Sequence, residues 1–371
     1  MNCSSKGMIS VIIPVYNGEK YVAETVKTIS ASDYKNLEII VVNDGSSDKS
    51  GDICKKLSEN DLRIKYIYQK NGGIVAARNR GLQEATGEYI CFCDQDDKVD
   101  SKIYSMMQQK MEEDDSELCM CGTAKFYEEK TYNYELFADA CYQGKEIQKQ
   151  LLQSLFYSNL MDESKRIKIN ASIWKCLIKR KVILKYGLQF KRFINYEDDW
   201  IFLIELLVYC NSVSTIKEVG YFWRTNLESE SHADKYVFNI REKQASLINY
   251  LKDVFFNKMN RESVEAFVAA KECMDIIKLF ENEASKNSPH SFFEKVRYIK
   301  ENVQTMYNKN IEVLSFKFAN GCIRYKAIYY FVRKKKYAIA YCANVFLQKI
   351  ILLLHKIKIG NKIESIVKKS V

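Results

Sequence analysis

The sequence predicts an α/β fold, a parallel sheet wound with helices, followed by a second region that is helical throughout. Over the first hundred residues, short apolar runs alternate with helical patterns, and each run has the branched side chains of a buried strand. From about residue 232 onward, longer patterns with a 3.6-residue period replace this alternation. Glycine and proline are scarce, at 14 and 2 of 371 residues, which favours helices and short loops. We therefore expect one domain over residues 1–231 and a helical region over residues 232–371.

The elements of the first region follow one another in regular order. Predicted strands cover residues 9–15, 37–42, 64–69 and 88–93, and Pro14 is expected to end the first of them. Helical patterns over residues 18–30, 73–86 and a stretch ending near residue 60 separate these strands. In the second region, helical patterns cover residues 237–256, 262–284 and 292–307.

The charge of the chain is concentrated at one end. Apolar residues make up 47% and charged residues 28%, which excludes a disordered chain and a polytopic membrane protein. The net charge of +10 indicates a polyanionic partner. However, residues 320–371 hold twelve of the 57 Lys and Arg residues and one of the 47 Asp and Glu residues. The remaining chain is nearly neutral, so we do not expect nucleic acid as a partner.

Twelve cysteines raise the question of disulfides or zinc. No apolar stretch of a secretory signal follows Met1, so we expect a cytoplasmic protein with free thiols. Cys91 with Cys93, and Cys119 with Cys121, repeat with a period of two. Neither pair has the Cys-x-x-Cys spacing of a zinc knuckle, and small thiols are ordinary in buried strands. A structural role for these thiols is therefore the better interpretation.

Polar clusters follow three of the predicted strands, over residues 14–17, 43–48 and 94–97. The carboxyl ends of parallel strands meet at one edge of a sheet, and ligands bind in the crevice outside that edge. Asp94, Asp96 and Asp97 repel one another unless a cation neutralises them. Mg²⁺ or Mn²⁺, with oxygen ligands, suits this cluster, although an isolated Asp-x-Asp is commonly a solvated turn.

Two further segments of the same region contain polar groups suited to a ligand. Asp44 lies in a sequence typical of a turn and helix cap, but at a strand end its carboxylate is also suited to accept the ring N–H of uracil. Pro14 or Tyr16 would then supply an apolar face for the base. Gly73 begins a helix that carries Arg78, a combination that either caps the helix or binds phosphate or sugar hydroxyls.

Three acidic residues, 197–199, precede a predicted helix over residues 201–209. The helix dipole alone favours acids at this position. Trp200 beside these carboxylates is a combination frequent in sugar sites, and a carboxylate here is suited to remove a proton from an acceptor hydroxyl.

Taken in this order, these segments resemble the family 2 glycosyltransferases, which are inverting enzymes with the GT-A fold. The resemblance covers residues 8–231, and it is densest over residues 10–17, 42–48, 71–81 and 87–97. It implies a Rossmann-like domain that binds a nucleotide-sugar donor, usually a UDP-sugar, and a glycan or lipid-linked saccharide acceptor of bacterial surface-polysaccharide synthesis. The donor site that it implies comprises Pro14, Tyr16, Asn17, Asp44, Gly73, Arg78, Asp94, Asp96 and Arg224.

The resemblance also implies individual roles. Pro14, Tyr16 and Asp44 would hold the base, Asp94 would face the ribose or sugar, and Asp96 would bind Mg²⁺ or Mn²⁺ at the donor diphosphate. Arg224 would offset charge on the leaving group, in a segment that also includes Ser229 and Ser231. His232 follows as a candidate contact to metal or phosphate, with an ordinary surface histidine as the alternative.

The family motif of the catalytic base is Glu-Asp, two residues and Phe, which this chain matches from Asp198 to Phe202. This alignment makes Asp199 the base, although Asp in place of the usual Glu leaves Asp198 as the alternative. One departure concerns Lys175, in Trp-Lys-Cys-Leu where many relatives read Trp-Asn-Lys-Leu. A role for that family lysine in acceptor contacts therefore stays open here.

Two other functions compete with glycosyl transfer. A metal-dependent nucleotidyltransferase also gathers carboxylates at a sheet edge, whereas a basic lipid-binding or nucleic-acid-binding protein would explain only the C-terminal charge. The sequence contains neither the Gly-x-Gly-x-x-Gly pattern of dinucleotide sites nor that of a P-loop.

The basic C-terminal stretch contains nineteen residues, 337–355, whose only charge is Lys349. This length approaches a membrane span. Asn344, Gln348, Lys349 and His355 fall mostly on one face, which favours an amphipathic helix lying on an anionic membrane, with a packed domain helix as the alternative. Residues 320–371 therefore predict peripheral attachment to the inner face of the cell membrane.

Overall fold

A computed structural model of the protein describes residues 6–127, 130–157, 169–194, 197–225, 236–306 and 323–350. The chain divides into two compact units, residues 1–155 with 166–232, and residues 156–165 with 233–371. Each unit is described by itself below.

The first unit is built around a ten-stranded sheet. Its strands are β1 (Ile9–Val15), β2 (Leu37–Asp44), β3 (Ile64–Gln69), β4 (Tyr89–Phe92), β5 (Lys98–Val99), β6 (Leu118–Tyr127), β7 (Lys130–Glu135), β8 (Ala140–Gln143), β9 (Cys176–Lys179) and β10 (Ser212–Arg224). The spatial order is β3-β2-β1-β4-β9-β6-β10-β5, with β7 paired to β6 and β8 to β10. Strands β1 to β4 are parallel, and β9 runs antiparallel between β4 and β6. The expected α/β fold is confirmed.

Helices connect and cover these strands. They are α1 (Val22–Ser30), α2 (Ser50–Asn60), α3 (Ile74–Glu84), α4 (Ile103–Glu113), a π-helical turn (Ile147–Leu152) that continues into α5 (Gln153–Tyr157), α6 (Arg180–Tyr186) and α7 (Asp198–Tyr209). Because helices pack on both faces of the sheet, all seven residues of β1 are buried.

Strand β1 has its predicted bounds, residues 9–15, with Pro14 as its last residue but one. Strand β1 continues to Val15 because Pro14 lies where a backbone donor is not needed. The Ile12 carbonyl accepts the last ladder bond from the β4 side, at 3.0 Å from the Cys93 amide. The backbone nitrogen of Pro14, two residues later, points to the same side of β1 as the Ile12 carbonyl. Strand β4 has already ended at this level, so the missing N–H of Pro14 costs no hydrogen bond.

The carboxyl ends of β1, β2 and β4 meet at one edge of the sheet, as expected from their parallel order. The amide group of Gln95 joins two of these ends, with bonds of 2.9 and 3.0 Å to the backbone N–H and carbonyl of Tyr16. Asn17, in the left-handed region with a φ of 48°, accepts a 2.8 Å bond from the amide of Ser47 after β2. The loops that carry the candidate residues are therefore tied to one another.

The second unit is helical where the structure describes it. Its helices are α8 (Ile240–Phe256), α9 (Arg261–Ala284), α10 (Phe292–Met306), α11 (Ile323–Arg333) and a helical stretch over residues 337–350. One face of that last stretch packs on α9, where Asn344 donates to the Phe280 carbonyl at 3.2 Å. Within the described residues, no helix has both the length and the apolar character of a membrane span. Residues 320–322 and 351–371 of the basic stretch lie outside the described ranges.

Candidate active site

Arg78 of α3 lies at the centre of the candidate site. Its side chain is buried, and its two terminal nitrogens pair with two different carboxylates. One nitrogen lies 3.0 Å from Asp94 after β4, and the other donates to Asp199 at the start of α7. The guanidinium also packs over the Phe190 ring, 5.2 Å from its centroid. Arg78 thus joins Asp94, 16 positions later in the sequence, and Asp199, 121 positions later, in one network.

The surroundings of Asp199 suit a proton acceptor. Burial raises the pKa of its carboxyl, and the adjacent Arg78 guanidinium opposes that rise. The Ile173 amide donates to its second carboxylate oxygen at 3.4 Å. A carboxylate with a raised pKa that is still held in its charged form by a cation is a competent general base.

Asp198 has a different partner from its neighbour. Its Oδ2 accepts bonds of 3.2 and 2.7 Å from two nitrogens of Arg192, with which it forms an ion pair. Of the two candidate bases, Asp199 is the one paired to the Arg78 network. The geometry therefore favours Asp199 over Asp198.

Tyr221 of β10 organises the acidic cluster after β4, a role that the sequence did not indicate. Its hydroxyl donates to Asp97 at 2.6 Å and accepts from the Asp94 amide at 3.0 Å. Its ring stacks on Trp174 with centroids 4.0 Å apart. Asp97 is fully buried, and burial raises the pKa of its carboxyl well above the ordinary value. Asp97 is therefore a structural acid, held by Tyr221 and by the Arg224 amide at 2.8 Å.

Asp96 is the carboxylate best placed for a metal ion. Among the described residues, no hydrogen bond from another residue reaches its side chain, whereas Asp94 and Asp97 each have such partners. Burial, together with the negative charge of Asp94, raises the pKa of Asp96 to about 6. The described residues contain no set of three His, Cys, Asp or Glu side chains arranged to hold a metal. A single carboxylate fits Mg²⁺ or Mn²⁺ that also takes substrate phosphates and water as ligands.

Asp44 fixes the loop that joins β3 to α3. Its buried carboxylate accepts the amides of Gly72 and Gly73 at 2.9 and 2.8 Å, and the Gln69 side chain at 2.7 Å. Gly73 has a φ of 82°, a conformation that other residues rarely adopt. Tyr16, directly after β1, is 43% exposed, whereas Pro14 is buried within β1. Asp44 therefore holds the loop in place in addition to its predicted contact with the base.

Arg224 lies at the end of β10, against the acidic cluster. Its guanidinium donates to the Asp96 carbonyl at 2.6 Å and to the Glu24 carboxylate of α1. It also packs over the rings of Tyr21 and Phe126, at 4.4 and 4.5 Å from their centroids. Its predicted neighbours, Ser229, Ser231 and His232, lie outside the described residues.

Lys175 is not a surface group. It is fully buried and donates to both carboxylate oxygens of Glu135, at 2.6 and 2.8 Å, and to the Asn170 carbonyl at 2.6 Å. These three acceptors match the three donors of the ammonium group. The lysine therefore has a structural role.

Comparisons with known proteins show what this chain is similar to. Residues 10–186 match the sequence model described as Glycosyl transferase family 2. Glycosyltransferase GlyA of Streptococcus pneumoniae is 38% identical over 154 residues, 41% of this chain and 22% of GlyA. The uncharacterized glycosyltransferase EpsJ of Bacillus subtilis is 30% identical over 227 residues, 60% of this chain and 62% of EpsJ. The chain thus matches less than two thirds of the length of these two relatives.

A solved structure of S. aureus TarS, residues 1–349, superposes with a TM-score of 0.65 at 15% identity, covering 92% of this chain and 91% of that chain. The same fragment in complex with UDP-GlcNAc gives a TM-score of 0.64 at 17% identity. This similarity shows that the fold is GT-A. With the family match and the curated relatives, it supports one conclusion: over residues 10–186 this chain is similar to glycosyl transferase family 2.

Proposed function

We propose that this chain transfers a sugar from a UDP-sugar to a hydroxyl group of a saccharide or lipid-linked acceptor, with inversion at the anomeric carbon. The observation that carries the proposal is the buried Arg78, which joins Asp94 at the donor edge to Asp199, the candidate base. The similarity to TarS, which was solved with UDP-GlcNAc and with UDP, supports the choice of donor.

In this mechanism Asp199 takes the proton of the acceptor hydroxyl. The acceptor oxygen attacks the anomeric carbon of the donor while the bond from that carbon to the diphosphate oxygen breaks, and UDP leaves. A single displacement on the face opposite the leaving group inverts the anomeric centre. Arg78 keeps Asp199 ionised before the reaction, because its guanidinium opposes the pKa rise that burial causes.

The residues predicted for the donor would bind it at one end of the site. Asp96 would hold Mg²⁺ or Mn²⁺, and such an ion, when bound, neutralises negative charge on the departing diphosphate. Arg224, next to Asp96, adds a fixed positive charge at the same end. Tyr16 and Asp44 would hold uracil, and the loop that includes Gly73 would lie against the donor.

We further propose that the acceptor is made at a membrane surface, as part of surface-polysaccharide synthesis on its cytoplasmic side. The support is the positive charge of residues 320–371, together with exposed apolar side chains on the 337–350 helix. Ile339 and Phe346 on this helix are 48% and 63% exposed, and the exposed Lys334, Lys335 and Lys336 precede it. Apolar contact combined with positive charge is the pattern of a helix that lies on anionic lipid.

The proposal is tested by identifying the products. The purified chain is incubated with Mn²⁺ and a panel of UDP-sugars, and separately with UTP and sugar 1-phosphates. We expect UDP from at least one UDP-sugar, by slow hydrolysis if no acceptor is supplied. Pyrophosphate from UTP, with no UDP from any UDP-sugar, would instead indicate a nucleotidyltransferase.

A further inference from the structure

A short segment after α6, residues 188–192, lies between helices α3 and α7. Asn79 of α3 binds the Phe190 backbone twice, donating to its carbonyl at 3.0 Å and accepting from its amide at 2.8 Å. The Phe190 ring stacks on Phe202 of α7, with centroids 4.2 Å apart. These contacts fix the backbone that carries Arg192.

The Arg192 guanidinium lies between the first residue of α7 and the residue before α3. Its Nε and Nη2 donate to Oδ2 of Asp198 at 3.2 and 2.7 Å. The remaining nitrogen, Nη1, faces Gly73, since a Cβ placed on that glycine would lie 3.3 Å from it. Nη1 makes no hydrogen bond to any residue that the structure describes. Its two N–H groups are therefore available to a ligand.

The space between Arg192 and Gly73 is open. Apart from Gly73 and its neighbours along the chain, no other atom of the described residues lies within 4 Å of that Cβ position. Gly73 is itself held in place, because Asp44 accepts its amide at 2.8 Å. The Arg192 side chain is 37% exposed, so a ligand can reach this space from solvent.

Arg192 and Arg224 lie on opposite sides of the sheet. Helix α7 contacts the Phe92 ring of β4, with centroids 6.2 Å apart. Helix α1 belongs to a core cluster with Cys91, the residue before Phe92, and successive side chains of a strand point to opposite faces. Arg224, which is assigned to the diphosphate, pairs with α1. Arg192, which pairs with α7, is therefore on the side of the candidate base.

A base that activates the acceptor lies beside the anomeric carbon of the transferred sugar. Asp198 adjoins Asp199 in the chain, with Cα atoms about 3.8 Å apart, so the cation bound to Asp198 is close to the same sugar. Because Asp198 holds one edge of the guanidinium, the direction of its free N–H groups is fixed. We propose that Nη1 of Arg192 donates hydrogen bonds to hydroxyl groups of the transferred sugar, which makes Arg192 a determinant of donor-sugar specificity. This inference rests on the proposed function.

Calorimetric titration of the full chain, with Mg²⁺ and without an acceptor, tests this contact. The probes are UDP, UDP-glucose, UDP-galactose and UDP-N-acetylglucosamine. The variants are Arg192→Met, Arg192→Lys and, as a matched control, Lys191→Met. Lys191 is the neighbouring cation on the same segment, and it pairs with Glu205 of α7 at 2.9 Å. Glu205 lies about 10 Å along the helix from Asp198.

We expect Arg192→Met to bind at least one of the three UDP-sugars about tenfold more weakly than the wild type. Its affinity for UDP should be unchanged, because only a contact to the sugar is lost. Arg192→Lys should show the same loss, since its single ammonium group pairs with Asp198 and leaves the position beside Gly73 without a donor. Lys191→Met should bind all four nucleotides like the wild type.

Three results would overturn the inference. The first is an unchanged affinity of Arg192→Met for every UDP-sugar, and the second is an equal loss of affinity for UDP. The third is full recovery in Arg192→Lys, which would leave the residue only the structural role of a cation beside Asp198. A wild-type chain without affinity for any of the three UDP-sugars would instead contradict the proposed function.

Discussion

Arg78 controls the charge of Asp199, so its removal should change the pH dependence of transfer. Without the guanidinium only the hydrogen bond from the Ile173 amide still opposes the effect of burial, and the pKa of Asp199 rises further. A carboxyl group is protonated below its pKa and is then no base, so activity rises as the pH passes through that value. We expect the acid limb of kcat in Arg78→Met to move to higher pH, by about one unit.

The control for this measurement is Arg80→Met, on the same helix. Arg80 is exposed, is paired with Glu84 and does not touch Asp199 in the described network. Its acid limb should coincide with that of the wild type. If the acid limb of kcat in Arg78→Met lay at the same pH as in the wild type, or at a lower pH, the role of Arg78 would be contradicted.

Asp44 offers a second test at a single position. If its carboxylate accepts the ring N–H of uracil, cytosine should bind poorly, because the equivalent ring nitrogen of cytosine is an acceptor. We expect the wild type to bind UDP about tenfold more tightly than CDP, and Asp44→Asn to lose this preference. Calorimetric titration of both nucleotides measures it, with the exposed Asp52→Asn of α2 as the control. If wild type and Asp44→Asn had the same preference for UDP over CDP, the contact between Asp44 and the ring N–H of uracil would be excluded.

Single residues differ in how well the sequence predicted them. Asp94, Asp96 and Asp199 stand in short motifs, so their types and spacing were informative. Tyr221 and Trp174 were missed because their roles depend on contacts across the fold, such as the bond from Tyr221 to Asp97, 124 residues earlier. No local pattern distinguishes such a tyrosine from any other residue of a buried strand.

At the scale of elements, the Lys175–Glu135 pair ties β7 to the segment before β9. Both side chains are buried, at 0% and 1% exposure. The same segment carries Ile173, which contacts Asp199, and Trp174, which stacks on Tyr221. The pair therefore supports one wall of the candidate site.

Removing one partner of this pair should destabilise the fold. Lys175→Met leaves the Glu135 carboxylate buried without its cation, which costs about 3–5 kcal/mol of unfolding free energy. Urea denaturation measures the loss. The double variant Lys175→Met with Glu135→Leu should recover most of it, because no unpaired charge remains.

The control is Lys179→Met, whose partner Asp115 is 94% exposed. An ion pair at such a position contributes little, so this variant should unfold close to the wild type. If Lys175→Met were as stable as Lys179→Met, the structural role of the buried pair would be wrong.

Element boundaries were predicted best where capping and periodicity agree. Helix α9 was expected over residues 262–284 and is observed over Arg261–Ala284, with Asn260 capping the Ser263 amide at 2.9 Å. Strand β1 has its predicted bounds, but the local sequence does not show why Pro14 is tolerated in it, because this depends on where the neighbouring strand β4 ends.

At the scale of the whole molecule, the charge of the C-terminal stretch predicts binding to anionic vesicles. We expect the full chain to float with vesicles that contain phosphatidylglycerol, but not with pure phosphatidylcholine. Reversing Lys334, Lys335 and Lys336 to Glu should reduce the bound fraction more than about tenfold, since each lysine near the surface contributes about 1 kcal/mol.

Reversal of Lys55 and Lys56, exposed on α2 of the first unit, is the control and should leave vesicle binding unchanged. Equal flotation with both lipids, or no effect of the triple reversal, would exclude electrostatic attachment through this stretch. Sequence and structure agree on part of this region: the 337–350 helix exists, but one of its faces packs on α9. One helix can therefore do both: one face of the 337–350 helix packs on α9, and its other, exposed face is the one that we propose contacts lipid.

The central claim is that Asp199 takes the proton during sugar transfer from a UDP-sugar. The most direct measurement is UDP release in the presence of Mn²⁺ and the best acceptor found, for wild type, Asp199→Asn and Asp198→Asn. We expect Asp199→Asn to lose about 10²–10⁴-fold in kcat while still binding UDP, and Asp198→Asn to keep more activity. Wild-type turnover in Asp199→Asn would contradict the account.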